Sequence, residues 1–156
     1  MLKIKIIVVD RTRSSFLSQG EIFYLDRLRK YANMEWVEVK KARIHRSMPV
    51  EEVLAIEGAA IQKKLQQGDF RVALDSKGSH CSSIGLAEWI RQLMLKSAVP
   101  AFIIGGPLGL SKKILDSSEK IFSLSRLTLT HEMSRLILLE QLYRAFTIIN
   151  NEKYHK

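Results

Sequence analysis

Apolar and polar positions alternate along the start of the chain and then cease to alternate. Leu2, Ile4 and Ile6 are set against Lys3 and Lys5, and Ile7, Val8 and Val9 complete an apolar run, which predicts a strand over 2–9 that enters a core. Between 15 and 32 the period lengthens, with Leu17, Tyr24, Leu28 and Tyr31 at helical spacing. Trp36-Val37-Glu38-Val39 reads as a short strand, and a basic loop to Pro49 follows. A helix over 50–67 places Val50, Val53, Leu54, Ile61 and Leu65 on one face; Gly68-Asp69 ends it, and 70–75 is a strand. Ser82 or Ser83 is placed to cap a helix reaching Lys96, with Leu86, Ile90, Leu93 and Met94 inward. Residues 100–104 give another strand, 111–118 a helix, 121–129 an apolar strand or loop, and 132–149 the last helix.

This order of short, highly apolar strands alternating with helices predicts an α/β domain, a mostly parallel central sheet with helices on both faces. At 156 residues the chain is one domain by length, 1–156, and no repeat, low-complexity tract or proline-rich linker divides it. No stretch approaches the roughly 20 apolar residues that a membrane-spanning helix needs. The amino-terminal run lacks a small-residue cleavage site because Asp10-Arg11-Thr12-Arg13 follows directly, so a cytoplasmic protein is expected. The single cysteine, Cys81, excludes an intrachain disulfide and a multi-cysteine zinc site.

Charge sharpens the picture. The net charge is +9, with a pI of about 9.8, and excess positive charge attracts polyanions without choosing a sequence. Lys40, Lys41, Arg43, His45 and Arg46 crowd one loop, and Arg11, Arg13, Arg27, Arg29 and Lys30 lie earlier, so RNA is the favoured partner.

Several segments carry candidate chemistry. Gly105-Gly106-Pro107-Leu108-Gly109-Leu110-Ser111 follows an apolar strand, where glycines permit positive φ and close backbone approach to a ligand. It is neither Gly-x-Gly-x-x-Gly nor a P-loop, which argues against a dinucleotide site and a nucleotide triphosphatase; alone it is an ordinary strand-to-helix turn. Leu124-Ser125-Arg126-Leu127-Thr128-Leu129 alternates apolar with mostly small polar residues and alone suits an edge strand. His131 opens the last helix, where the helix dipole disfavours its protonated form. Arg135 and Arg144 stand nine positions apart, about 180° around a helix, so they serve different faces, and Glu140 with Arg144 is an i,i+4 structural pair. Tyr154-His155-Lys156 lies at a chain end, where side chains are ordinarily free to vary.

Taken in order, Val72-Ala73-Leu74-Asp75, the Gly-Gly-Pro-Leu-Gly-Leu-Ser loop, the segment from Phe122 to His131, the helix with His131, Arg135, Glu140, Tyr143 and Arg144, and the terminal Tyr154-His155 resemble the ribosomal RNA large subunit methyltransferase H family of the SPOUT class. The resemblance covers essentially the whole chain. It implies a carboxy-terminal trefoil knot and a homodimer that uses S-adenosyl-L-methionine to methylate N3 of a pseudouridine in a 23S rRNA hairpin on the assembled ribosome. It further implies a donor pocket walled by Leu74, Gly105 and the segment Leu124, Ser125, Arg126, Leu127, Thr128 and Leu129. Tyr154 and His155 would complete the substrate pocket beside the partner subunit's donor, with His155 accepting the N3 proton and Tyr154 stacking on or hydrogen-bonding the base. Arg135, Lys153 and Lys156 would reach phosphate or base, and no metal is expected. Two departures from family habit stand out: Asp10 where many relatives have glycine, and Thr130 where proline usually precedes the histidine. The alternatives are a SPOUT methyltransferase for another RNA, such as a transfer RNA, and a non-catalytic RNA- or ribosome-binding protein.

Overall fold

The first strand, β1 (Leu2–Val9), feeds two cores through its pleat. In the computed structural model, which describes all 156 residues, Ile4, Ile6 and Val8 face one layer of helices while Ile7 and Val9 face another. The first layer is α1 (Ser15–Leu28), α3 (Ser83–Leu95) and α5 (His131–Ile149), which contribute Leu28, Ile90 and Leu142 to its core. The second layer is α2 (Val50–Gln62) and the short α4 (Lys112–Asp116), which contribute Ile61 and Ile114.

Five strands make the sheet between them. With β2 (Ala32–Val39), β3 (Asp69–Ser79), β4 (Val99–Ile104) and β5 (Lys120–Phe122), the order is β2-β1-β4-β3-β5, and every pairing is parallel. The mostly parallel sheet expected from the sequence is wholly parallel, with helices on both faces. From β3 the chain moves one place toward β1 to form β4; from β4 it moves back across β3 to form β5. Connections leaving β3 and β4 in opposite directions open a crevice at their carboxyl ends, the usual place for a ligand in such sheets.

Element limits differ from expectation where tertiary contacts intervene. The first helix stops at Leu28 rather than 32, because Ala32 already pairs with Leu2 at the start of β2. Tyr31, expected on that helix, stacks on Phe146 of α5 instead. The second helix ends at Gln62 rather than 67. Beyond it, the fully buried Lys5 ammonium donates to the Lys64 carbonyl at 3.2 Å and to Asp69 at 2.7 Å, while the Asp69 carboxylate accepts the Gln66 N–H at 2.8 Å. That ion pair draws the chain out of the helix and into β3. Val50 and Met94, expected inward, are exposed at 48% and 39%. Residues 121–129 are strand only to Phe122 and loop thereafter.

Candidate active site

A cleft of about 790 Å³ occupies the crevice at the carboxyl ends of β3 and β4. Leu74 and Asp75 form one side, the loop from Gly105 to Gly109 a second, and Leu124, Ser125, Leu127, Thr128 and Leu129 a third. The starts of α1 and α5 close it with Ser14, Phe16 and His131. Its size lies in the range of roughly 300–1,000 Å³ typical of small-molecule sites.

The glycine loop is held by its own backbone. Gly106 and Gly109 bridge each other, with the Gly109 N–H donating to the Gly106 carbonyl at 3.0 Å, and Gly109 takes a φ of 83° that disfavours any side chain. A Cβ on Gly105 would collide with the Gly109 carbonyl oxygen. Glycine at 105 is therefore needed for the loop to fold back on itself, before any ligand is considered. In the third wall, the Leu127 N–H donates to Ser125 Oγ at 3.0 Å, and the Ser125 carbonyl accepts from Ser123 Oγ at 2.8 Å. The N–H groups of Thr128 and Leu129 make no bond within the chain. Main-chain donors beside leucines are what an uncharged heterocycle such as adenine requires.

The start of α5 is fixed from below. Thr130 caps the helix by accepting the Met133 N–H at 3.2 Å, as its hydroxyl allows. Glu132 accepts the backbone N–H groups of Arg13 and Ser14 at 2.8 and 3.0 Å, joining the start of α1 to that of α5. Those bonds, the Ser14 N–H foremost, hold its carboxyl below the ordinary carboxylate range. Burial, and after it the Arg135 charge, pushes the His131 imidazole below its usual pKa, so it faces the cleft neutral at pH 7.

Arg135 itself has no solvent exposure. Its guanidinium donates to the Val9 carbonyl at 2.6 Å and to Thr12 Oγ1 at 2.9 Å, and Thr12 passes the contact to buried Glu21 at 2.7 Å. The expectation that Arg135 reaches phosphate or base is corrected: it is sealed beneath the carboxyl end of β1. Asp10, next in sequence, takes a φ of 66°, a left-handed conformation that aspartate tolerates better than most residues, with its carboxylate 2.9 Å from Arg13 and 3.7 Å from Lys41.

The chain terminus is fastened far from the cleft. Glu152 binds the Tyr31 hydroxyl at 2.6 Å and Lys30 at 2.9 Å. Glu140 Oε1 accepts both the Arg144 guanidinium and the Tyr154 hydroxyl, and Tyr154 packs edge-on against Tyr143. Burial, reinforced by hydrogen bonds with Tyr24 and Glu140, raises the Tyr154 phenol well above its ordinary pKa. His155 Nδ1 lies 3.4 Å from Arg144. From His131 to Arg144 is thirteen residues of helix, roughly 20 Å, so one chain does not bring Tyr154 and His155 to its own cleft.

The profile of the family described as "Predicted SPOUT methyltransferase" matches residues 2–155. The chain belongs to the SPOUT methyltransferase family. Among its relatives, the ribosomal RNA large subunit methyltransferase H of Halothermothrix orenii is 42% identical over 99% of this chain and 100% of its own length. That of Thermotoga neapolitana is 38% identical over 96% and 97%. Solved structures similar in fold include a methylase family protein of Haemophilus influenzae, with a TM-score of 0.61, 14% identity and coverage of 98% of this chain and 70% of that one. A methyltransferase of Bordetella pertussis gives 0.56, 15%, 92% and 94%.

Of the residues expected to wall the donor pocket in this SPOUT methyltransferase, Leu74, Gly105, Leu124, Ser125, Leu127, Thr128 and Leu129 share the one cleft. Arg126 does not; its Nε donates to His80 Nε2 at 3.1 Å on the surface. Phe16 was missed by sequence reading. It begins α1 with 68% of its surface exposed, and its side chain borders the cleft. Nothing in the periodicity of α1 marks that position, because it lies off the buried face set by Leu17 and Leu28.

Proposed function

We propose that this SPOUT methyltransferase binds S-adenosyl-L-methionine in the cleft and methylates N3 of a pseudouridine in a 23S rRNA hairpin on the assembled ribosome. In this reading it works in the cytoplasm as a homodimer with a knotted carboxy-terminal region. The observation that carries the proposal is the meeting of three separate segments, at Leu74, Gly105 and 124–129, around one largely apolar cleft with unpaired backbone donors at Thr128 and Leu129. The names of the full-length relatives supply the RNA.

The cleft fits the donor. Leu74, Leu124 and Leu129 offer apolar surface for an adenine ring, the Thr128 and Leu129 N–H groups offer hydrogen bonds, and the loop at Gly105 presents backbone without side-chain bulk. Bound there, S-adenosylmethionine supplies a sulfonium methyl group that a ring nitrogen can take directly. The chain's task is then alignment of nitrogen and methyl, the term that positioning supplies in such transfers.

Tyr154 and His155 enter from the partner, since one chain keeps them a helix length from its own cleft. The raised Tyr154 pKa keeps its proton in place, so the phenol serves by stacking or hydrogen bonding and not as a base. An arginine nitrogen can only donate, so in its contact with Arg144 the His155 Nδ1 accepts. At 3.4 Å that bond is long, and His155 can give it up to take the N3 proton at Nδ1, the ring nitrogen whose lone pair the bond had used.

Ribosomes from cells lacking the activity, incubated with the protein and isotopically labelled donor, test this reading. Nucleoside mass spectrometry should find the label as N3-methylpseudouridine in large-subunit rRNA. Label in transfer RNA, or no label with ribosome binding intact, would select one of the two alternatives instead.

A further inference from the structure

The loop joining β2 to α2 is the most concentrated unneutralised charge beside the cleft. From Val39 to Val50 there is no acidic residue, while Lys40, Lys41, Arg43 and Arg46 fall within seven positions. Five consecutive residues, 43–47, are exposed, and the loop is anchored at Ala42 just before them. Ala42 is 2% exposed, and its N–H donates to the buried Glu57 carboxylate at 3.3 Å, whereas Lys40, Lys41, Arg43, Ile44, His45 and Arg46 are all exposed.

The charges are also free. Lys41 leans on Asp10 at 3.7 Å, but the side chains of Lys40, Arg43 and Arg46 make no hydrogen bond or ion pair, nor does that of neighbouring Arg11. Elsewhere many surface cations are matched, as in Lys3–Glu35, Arg29–Asp26, Arg91–Glu88 and Lys112–Asp116.

Position gives the loop a purpose. It leaves the carboxyl end of β2, and the Asp10 N–H donates to the Val39 carbonyl at 2.8 Å, so the loop lies on the same edge of the sheet as the cleft. Glu57 links the two. Its Oε1 holds Ala42, and its Oε2 lies 3.5 Å from where a Cβ on Gly106, a cleft residue, would project. On the other side Asp10 pairs with Arg13, whose N–H, with that of the cleft residue Ser14, is held by Glu132.

We infer that residues 40–46, with Arg11, dock the phosphate backbone of the RNA whose target nucleotide enters the cleft. This inference rests on the RNA-methyltransferase reading for its partner. Guanidinium forks at Arg43 and Arg46 suit phosphate oxygens, and Ile44 between them offers apolar contact to sugar or an unstacked base. The contact is sequence-independent; choice of nucleotide stays with the cleft.

The test is equilibrium binding of fluorescently labelled protein to ribosomes across a salt series, comparing wild type with the triple variant Lys40→Ala/Arg43→Ala/Arg46→Ala. Lys63→Ala/Lys96→Ala, at the ends of α2 and α3 on the opposite edge of the sheet, serves as control. The triple variant should bind more weakly, and its slope of log affinity against log salt should be shallower by about two to three units. The control should match wild type. Donor affinity, measured separately by calorimetry, should be equal in all three, which also shows that the variants are folded. Ribosome affinity and salt slope unchanged in the triple variant would overturn the inference. Failure of the wild type to bind donor would instead remove the methyltransferase reading while leaving the salt-slope comparison to decide the docking surface.

Discussion

Arg135 and His131, one turn apart on α5, show how a wholly buried group sets the chemistry of one that faces a ligand. The guanidinium is tied to the end of β1, and its charge, added to the effect of burial, keeps the neighbouring imidazole neutral. Replacing it in Arg135→Gln should raise the His131 pKa toward its ordinary value of about 6.5, as read by NMR titration of the ring protons. The same change should cost about 3 kcal/mol in denaturant unfolding, because it breaks a buried charged network with Thr12 and Glu21. An unchanged His131 titration would show that burial alone depresses it. The sign for stability follows from linkage. The unfolded chain binds a proton at His131 before the folded one does, so this site loses stability as pH falls from about 6.5 toward the folded pKa. Glu21 and Glu57 act oppositely: burial raises both, so they add stability as pH falls through their folded pKa values toward 4.5. The sequence placed His131 at a helix start that disfavours its protonated form, but the burial of Arg135 and its network with Thr12 and Glu21 were not legible there. Depth along a helix face depends on which element lies beneath, and the Thr12–Glu21 pair lies more than a hundred residues away.

The elements themselves were largely written in the apolar pattern. β1, β4, α3 and α5 sit within a residue or so of their expected limits, because each has a strong period or a polar cap such as Ser82 or Thr130. Limits moved where a long-range bond competes with the local preference, as the Lys5–Asp69 ion pair does at the end of α2. The junction of α1 and α5 is another such case. The α1 cap position, Ser14, makes no side-chain bond, and Glu132 from α5 does the work by accepting the Arg13 and Ser14 N–H groups. Glu132→Ala should therefore lower stability by about 1–2 kcal/mol at pH 7, within the range for lost helix caps. Its carboxyl pKa is depressed in the folded state, so the contribution is full above about 4.5 and fades as pH falls through the folded value. Urea unfolding of both proteins at pH 7 and pH 3 checks this; a difference of equal size at the two pH values would contradict it.

At the scale of the molecule, the direction reversal at β3 and β4 puts the cleft at the carboxyl edge of the sheet, and the family segments that the sequence displayed far apart converge there. Shape and backbone donors, which leave no charged fingerprint, explain why these segments read as ordinary turns until taken together. The terminus shows the opposite limit. Tyr154 and His155 were visible as an unusual ending, yet a single chain holds them on the far part of α5, so the site proposed here needs two copies. The basic edge beside the cleft was visible as charge, but its anchoring through Glu57 was not.

The central claim is that the cleft holds the methyl donor. Substitution at Gly105 would test it poorly, since a side chain there meets the Gly109 carbonyl and disturbs the loop itself. Thr128 is exposed and lines the cleft without supporting another element, so Thr128→Trp can fill the space with the fold intact. Titration calorimetry of S-adenosylmethionine into wild type and Thr128→Trp is the most direct measurement. Saturable one-site binding by the wild type, lost or weakened at least tenfold in the variant at unchanged thermal stability, is the expected result. Equal binding by both proteins, or none by the wild type, would contradict it.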